Sequence, residues 1–253
     1  MFREENERMK PLVTIITATY NAASSLQATI ASIRQQSYVN IEWIIVDGGS
    51  SDDTVRILQQ NDDVIQFWTS EPDNGIYDAW NKGIARARGE WIGFLGAGDT
   101  YHHDAILKYV SAIEASKTPV QLITSRIRLV DQHGNCKIIV GEKFDWSIFQ
   151  RRMNIAHVGA LHHRSLFDKY GIFDTEYSSA GDYEFLFRTG ATLRALFLDA
   201  ITADMIIGGS SCGYRTLHET YSIQKKYGAN RMALLRYFVA FAKRIVRPVI
   251  RGY

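Results

Sequence analysis

Four stretches of this chain place acids or grouped polar side chains where a ligand could meet them. Val46-Asp47-Gly48-Gly49-Ser50 sets a carboxylate beside two glycines, so a base or ribose could be hydrogen-bonded while the ligand approaches the backbone closely. The same residues also make an ordinary strand-to-helix turn. In Asp73-Asn74-Gly75-Ile76-Tyr77-Asp78-Ala79-Trp80-Asn81-Lys82-Gly83, helical spacing puts Asp78, Asn81 and Lys82 on one polar face opposite an apolar stripe. That face suits ribose hydroxyls and a diphosphate, and equally a solvated helix side. Gly96-Ala97-Gly98-Asp99-Thr100 lacks the third glycine of a dinucleotide fingerprint. Asp99 instead suits a hard cation, Mg²⁺ or Mn²⁺, held by one or two carboxylates together with phosphate oxygens and waters. A single carboxylate makes such a site depend on the diphosphate for its other ligands. Finally, Asp182 and Glu184 open a helix within Ser178–Arg188. First-turn acids complement the helix dipole, yet Asp182 heads an apolar, aromatic turn. Burial there would lift its pKa toward a general base's range, and the helix terminus would lower it.

These residues need elements to position them, and the first half supplies a regular alternation. Leu12–Ala18 reads as a buried β-branched strand. Ser24 or Ser25 can cap the next helix, which carries Leu26, Ile30 and Ile33 on one face. Strands are predicted at Ile41–Val46, Val64–Thr69 and Trp91–Leu95, with helices beginning at Asp52 and spanning Ile76–Arg88. Such alternation predicts an α/β fold with a doubly wound, mostly parallel sheet. Ligands of these sheets sit beyond the carboxyl ends of the strands, where Asp47 and Asp99 fall. The second half is less regular. A hairpin is expected from Gln121–Val130 and Cys136–Val140 around His133-Gly134-Asn135. A strand over His157–His162 follows, then helices near Ser165–Tyr170 and Asp182–Thr189, and a helical tail from about Thr216 to Pro248.

Bulk properties narrow the function classes. The chain has 253 residues, 46% hydrophobic and 22% charged, enough for one large α/β domain. Cys136 and Cys212 have no metal-ligand spacing and form no disulfide framework, which is compatible with a reducing cytosol. No apolar run approaches the ~18 residues of a membrane span, and Met1–Lys10 lacks a signal-peptide core. The net charge of +2 hides an asymmetry, because Thr220–Tyr253 holds eight basic residues and no acid. Within it Arg236, Lys243, Arg244, Arg247 and Arg251 fall on one helical face beside Phe238, Phe241 and Ile245. A helix of this kind can lie on an anionic membrane surface or pack on its own domain. The chain lacks a recognised nucleic-acid-binding motif and, outside the tail, stacking aromatics interleaved with basic residues, so no nucleic-acid partner is expected. His157, His162 and His163 lie near Ser165 and Asp168, but no G-x-S-x-G elbow accompanies them and their spacing fits no zinc site.

The motifs together resemble glycosyltransferase family 2 from about Pro11 to Gly228. Thr17-Ala18-Thr19-Tyr20-Asn21 resembles the family's first-strand motif, and Val46–Asp52 its VDGGSxD motif. Glu71–Gly83 is similar to the SEPDNGIYDAMNKG signature of a subgroup making colanic acid and other exopolysaccharides. The resemblance implies a single GT-A-like domain over 11–215, with a nucleotide-sugar-binding half (11–100), an acceptor half (101–215), a charged lead-in (1–10) and a basic helical tail (216–253). It implies base and ribose contacts from Thr19, Asn21 and Asp47, and a donor pocket lined by Asp78 and Lys82. Asp99 matches the last acid of a DxD-type metal motif whose first acid is absent here. Asp182 matches the catalytic base of an SDYxLxLR-like segment that also includes Arg188. The expected activity is inverting, metal-assisted transfer from a UDP- or GDP-type sugar donor to a glycan or lipid-linked acceptor in surface or extracellular polysaccharide synthesis. The expected site is the cytoplasm, peripheral to the inner membrane face. A non-catalytic nucleotide-sugar-binding protein is the competing class, favoured by the thinned metal motif and opposed by Asp99 and Asp182.

Overall fold

A computed structural model describes residues 10–208 and 214–228. Strands β1 (Val13–Thr19) and β2 (Ile41–Asp47) are buried along nearly their whole length. Runs of β-branched residues covered on both faces are what a parallel sheet between helices requires. Ile15 and Ile16 enter different apolar clusters, one on each face of the sheet. Helices α1 (Leu26–Arg34) and α2 (Thr54–Gln59) cover the Ile15 side through Leu26, Ile30, Ile33, Ile57 and Leu58. After β3 (Phe67–Ser70), helix α3 (Ile76–Arg86) crosses to the opposite side and packs Tyr77, Trp80 and Ile84 against Ile16, Ile44 and Phe94. Strand β4 (Trp91–Phe94) then joins β1 on the side away from β2. The order β3-β2-β1-β4 is parallel throughout. Its direction of growth reverses between β1 and β4, and a crevice opens beyond their carboxyl ends.

Antiparallel pairings enter in the second half. The short strand β5 (Thr100–Tyr101) leads to α4 (Ala105–Glu114), which covers the Ile15 face with Ile106 and Tyr109. Strands β6 (Leu122–Val130) and β7 (Cys136–Val140) form the expected hairpin. After the short helix α5 (Trp146–Phe149), the predicted strand at His157–His162 resolves into a 3-10 turn, His157–Gly159, and strand β8 (Ala160–His163). Helices α6 (Ser165–Tyr170) and α7 (Gly181–Thr189) follow. Strand β9 (Ala195–Ile206) lies between β6 and β5. Sequence reading misses β9, whose residues are mostly half-buried without the alternation that marks a strand.

The last described helix is α8 (Tyr214–Lys226), whose Ile223 and Gln224 are buried. The boundary expected at 215/216 therefore falls inside a helix that packs on the domain. The charge asymmetry that marked the tail reports composition, not packing. The basic face at Arg236–Arg251, like Cys212 and the lead-in before Lys10, lies outside the described residues.

One α3 expectation is corrected. Asn81 turns toward Phe173, donating to its carbonyl at 2.9 Å and accepting its N–H at 3.0 Å. Helical spacing alone could not show that the chain returns beside α3 after α6. Asn81→Leu should therefore lower stability by about 1–3 kcal/mol in urea unfolding, because both Phe173 backbone groups lose their partner.

Candidate functional site

The loops after β1 and β2 are knitted into one unit. Asn21 has φ 47°, and its Oδ1 accepts the Ser51 N–H at 2.9 Å while its own N–H donates to Ser50 Oγ at 2.7 Å. Asp47 lies beneath them with no exposed surface. Its carboxylate accepts five hydrogen bonds, from Thr19 Oγ1, the Gly49 and Ser50 N–H groups, and the Ser50 and Ser70 hydroxyls. Burial alone would raise its pKa, but these donors outweigh that and hold it below the usual range. Thr19 and Asp47 thus face each other, and their polar atoms set the shape of the turn. Tyr20 is 67% exposed beside them, an aromatic face at the strand end that sequence reading did not single out.

Asp78 and Lys82 sit together at the start of α3. Lys82 Nζ lies 3.1 Å from Glu71 and 3.6 Å from Asp78, and donates to the Pro72 carbonyl. Asp78 also accepts the Asn74 N–H at 3.0 Å. This cluster braces the β3–α3 loop, while Ile76, Tyr77 and Trp80 of the same helix line the cavity described next.

A cavity of about 600 Å³ opens at the switch point, and Asp99 and Asp182 both line it. Asp99 is 9% exposed and accepts the Ile206 N–H of β9 at 3.0 Å. The loop carrying it is latched to α1, since Thr29 Oγ1 accepts the Gly98 N–H and donates to the Asp99 carbonyl. Gly96 allows the carboxylate to fold back, because a Cβ there would come within 2.8 Å of Asp99 Oδ2. Burial pushes the Asp99 pKa up to about 7, with only partial relief from backbone donors. A cation would discharge that desolvated carboxylate, so Asp99 fits a metal role. Among the described residues, however, no group of three His, Cys, Asp or Glu could hold an ion. Ligands beyond Asp99 must come from elsewhere, as a diphosphate and waters would.

Asp182 sits in the first turn of α7. Its Oδ1 accepts the Tyr77 hydroxyl at 3.1 Å and the Tyr183 N–H at 2.9 Å. The opposing influences on its pKa resolve in favour of burial, which lifts it to about 6. Gly181 makes the Tyr77 contact possible, since a Cβ there would lie 2.8 Å from the Tyr77 ring. Tyr77 was legible as a motif residue but not as a partner of residue 182, because no sequence signal joins α3 to α7.

The remaining candidates are structural. Arg188 pairs with Glu184 at 2.6 Å and donates to the Tyr170 and Ile172 carbonyls. His157 lines the cavity, stacked on Trp80 and Phe94, and burial drives its pKa down to about 3. His162, fully buried, is also pushed well down by burial. His157 Nε2 and both ring nitrogens of His162 are buried without a hydrogen-bond partner among the described residues, so neither imidazole is paired with a nucleophile and an acid as a hydrolase-like arrangement requires.

The fold is similar to solved structures. One is Staphylococcus aureus TarS 1–349 in complex with UDP-GlcNAc (TM-score 0.70, 16% identity, covering 85% of this chain and 65% of that one). Another is the mannosyltransferase PcManGT from Pyrobaculum calidifontis in complex with GDP-Man and Mn²⁺ (TM-score 0.62, 17% identity, covering 97% and 77%). These likenesses put the chain in the GT-A-like class of α/β folds. By sequence it belongs to glycosyl transferase family 2, whose domain matches residues 14–170, and it is a glycosyltransferase. Relatives include an uncharacterized glycosyltransferase of Mycobacterium tuberculosis, 33% identical over 190 residues, covering 70% of this chain and 68% of the relative. A PGL/p-HBAD biosynthesis glycosyltransferase of Mycobacterium bovis is 30% identical over 181 residues, covering 70% and 69%.

A raised carboxylate pKa has a defined consequence for stability. Between the unfolded value near 3.8 and the folded value near 7, the native state holds a proton on Asp99 that the unfolded chain has released. Stability from this group is therefore present at low pH and lost as pH rises through 7. Asp99→Asn should raise the melting temperature at pH 8 by a few degrees, about 1–2 kcal/mol, and change it little at pH 4. Equal shifts at both pH values would reject the buried-carboxylate account.

Proposed function

We propose that the chain transfers a sugar, with inversion, from a nucleoside-diphosphate-sugar to a hydroxyl of a glycan or lipid-linked acceptor, in bacterial surface or extracellular polysaccharide synthesis. The observation that carries this reading is the presence of Asp99 and Asp182 on one cavity at the switch point. An alcohol is a poor nucleophile, and Asp182 takes its proton as the oxygen attacks the anomeric carbon. Attack from the face opposite the leaving group inverts that carbon. A Mg²⁺ or Mn²⁺ ion held by Asp99 would offset charge on the departing nucleoside diphosphate. The solved neighbours carry UDP-GlcNAc in one case and GDP-Man with Mn²⁺ in the other, which supports a UDP- or GDP-type donor. Tyr20 offers a face for the base, with Asn21 and the turn shaped by Thr19 and Asp47 beneath the ribose. Asp78 and Lys82 hold the loop at the donor side.

The acceptor side is apolar. Ile127, Leu129, Val140, Met153 and Met205 are among the residues lining the cavity. Sugar hydroxyls against such a wall would lose hydrogen bonds at about 1–3 kcal/mol each, so the wall favours an acceptor with an apolar portion. That agrees with a lipid-linked substrate and with a cytoplasmic protein held at the inner membrane face. Among the described residues no helix is long and apolar enough to cross a membrane.

A thermal-shift screen of nucleotide sugars with Mn²⁺ should identify one stabilising donor. With that donor, Asp182→Asn should retain the shift and lose at least about a hundredfold in nucleotide release; undiminished turnover would remove Asp182 from the base role. Turnover should fall below pH ~6 as Asp182 gains a proton. For the tail, the full chain should float with anionic liposomes at low salt and detach at high salt, whereas salt-insensitive absence from the vesicles would reject membrane anchoring.

A further inference from the structure

Helix α7 begins without a cap of its own. Its N-cap residue is Ala180, which supplies no side-chain hydrogen bond, although the first N–H groups of a helix need partners. Glu219 of α8 instead anchors Ser178, Ser179 and Ala180, the three residues that lead into the helix. Its Oε1 accepts the Ser178 N–H at 3.0 Å and the Ser178 hydroxyl at 2.8 Å, and its Oε2 accepts the N–H groups of Ser179 and Ala180 at 2.9 Å each. The same helix grips α7 further along. Gln224 donates to Tyr183 Oη at 3.2 Å and to the Arg151 carbonyl at 3.0 Å. Glu184, only 1% exposed, accepts from Arg188, Lys226 and the Tyr227 hydroxyl. Residues on both sides of Asp182 are thus fastened to α8 or its end, while the Asp182 side chain reaches Tyr77 and the cavity.

We infer that Glu219 and Tyr77 are positioning residues for the Asp182 carboxylate, with Glu219 fixing the backbone that carries it and Tyr77 fixing one of its oxygens. Helix α8 is then part of the transfer apparatus. This rests on the reading of Asp182 as the base. Both Asp182 hydrogen bonds named above fall on Oδ1, so on this reading Oδ2 is the oxygen that takes the acceptor's proton. A base held within a few tenths of an ångström keeps the near-attack geometry, and small misplacements are costly in rate. The two residues also act on the carboxylate with opposite sign. The Tyr77 hydroxyl favours the ionised form, and the negative charge of Glu219 opposes it. Among the described residues, Asp99 and His157 are further ionisable groups lining the same cavity, and Arg215 reaches Ser178 Oγ at 3.3 Å.

The test measures Asp182 directly, by carboxyl ¹³C NMR titration of the full chain, and in parallel follows nucleoside diphosphate release from UDP-GlcNAc and GDP-Man with Mn²⁺. Tyr77→Phe should raise the Asp182 titration midpoint, and Glu219→Gln should lower it. Each should cut turnover about tenfold or more while the donor's thermal shift and KM stay near wild type. Glu219→Asp keeps the charge and shortens the reach, so it should lose turnover with little change in midpoint, and it serves if Glu219→Gln fails to fold. Midpoints and turnover unchanged in all folded variants would overturn the inference. If instead the midpoints shift as stated but Asp182→Asn turns over like wild type, the base assignment fails and the positioning role for transfer fails with it.

Discussion

A carboxylate removed from water must be given hydrogen-bond donors or give up its charge, and this constraint organises the carboxyl edge of the sheet. The cost of leaving such a charge unpaired runs to several kcal/mol, more than a single turn can absorb. Asp47 receives five donors and stays ionised. Asp99 and Asp182 receive fewer, and burial raises both, to about 7 and about 6. Three acids near the same crevice are therefore set to different tasks by how many donors surround each. The saturated one builds the turn, and the two undersupplied ones are those to which the proposed function gives a cation and a proton.

The rest of the architecture keeps those environments in place. Crossover helices on both faces let β1 and β4 lie side by side with their ends open. The pairing of β5 with β9 brings the Ile206 N–H to Asp99, and the return of the chain beside α3 brings α7 to Tyr77. The second half of the sheet adds apolar residues such as Ile127, Leu129 and Met205 to the cavity lining, and apolar surroundings strengthen the electrostatic contacts beside them. Helix α8 then fastens the residues leading into α7 through Glu219.

Much of the parallel half was legible before any coordinates. Its strands are short β-branched runs, and its helices repeat apolar residues at helical spacing, so local pattern and tertiary role agree there. Legibility failed where a residue answers to a distant partner. Asn81 reads as part of a solvated face, yet its amide completes the backbone at Phe173. Strand β9 has no alternation because both of its faces are only half covered. Thr19 and Asp47 were legible as strand-end polar residues, but it was not legible that the Thr19 hydroxyl donates to the Asp47 carboxylate. Glu219 carried no motif, and its partners are backbone N–H groups of Ser178–Ala180, which no residue type marks.

By itself, the sequence determined which residues have chemistry to offer and on which kind of element each stands, because residue type and periodicity are local properties. It placed Asp99 past a strand end and Asp182 in the first turn of a helix. Only the tertiary structure decided that the two share a cavity, which acid is saturated and which is left protonatable, and that α8 braces one of them. Those outcomes depend on burial and on donors contributed from residues up to 107 positions away, and no local pattern contains that information.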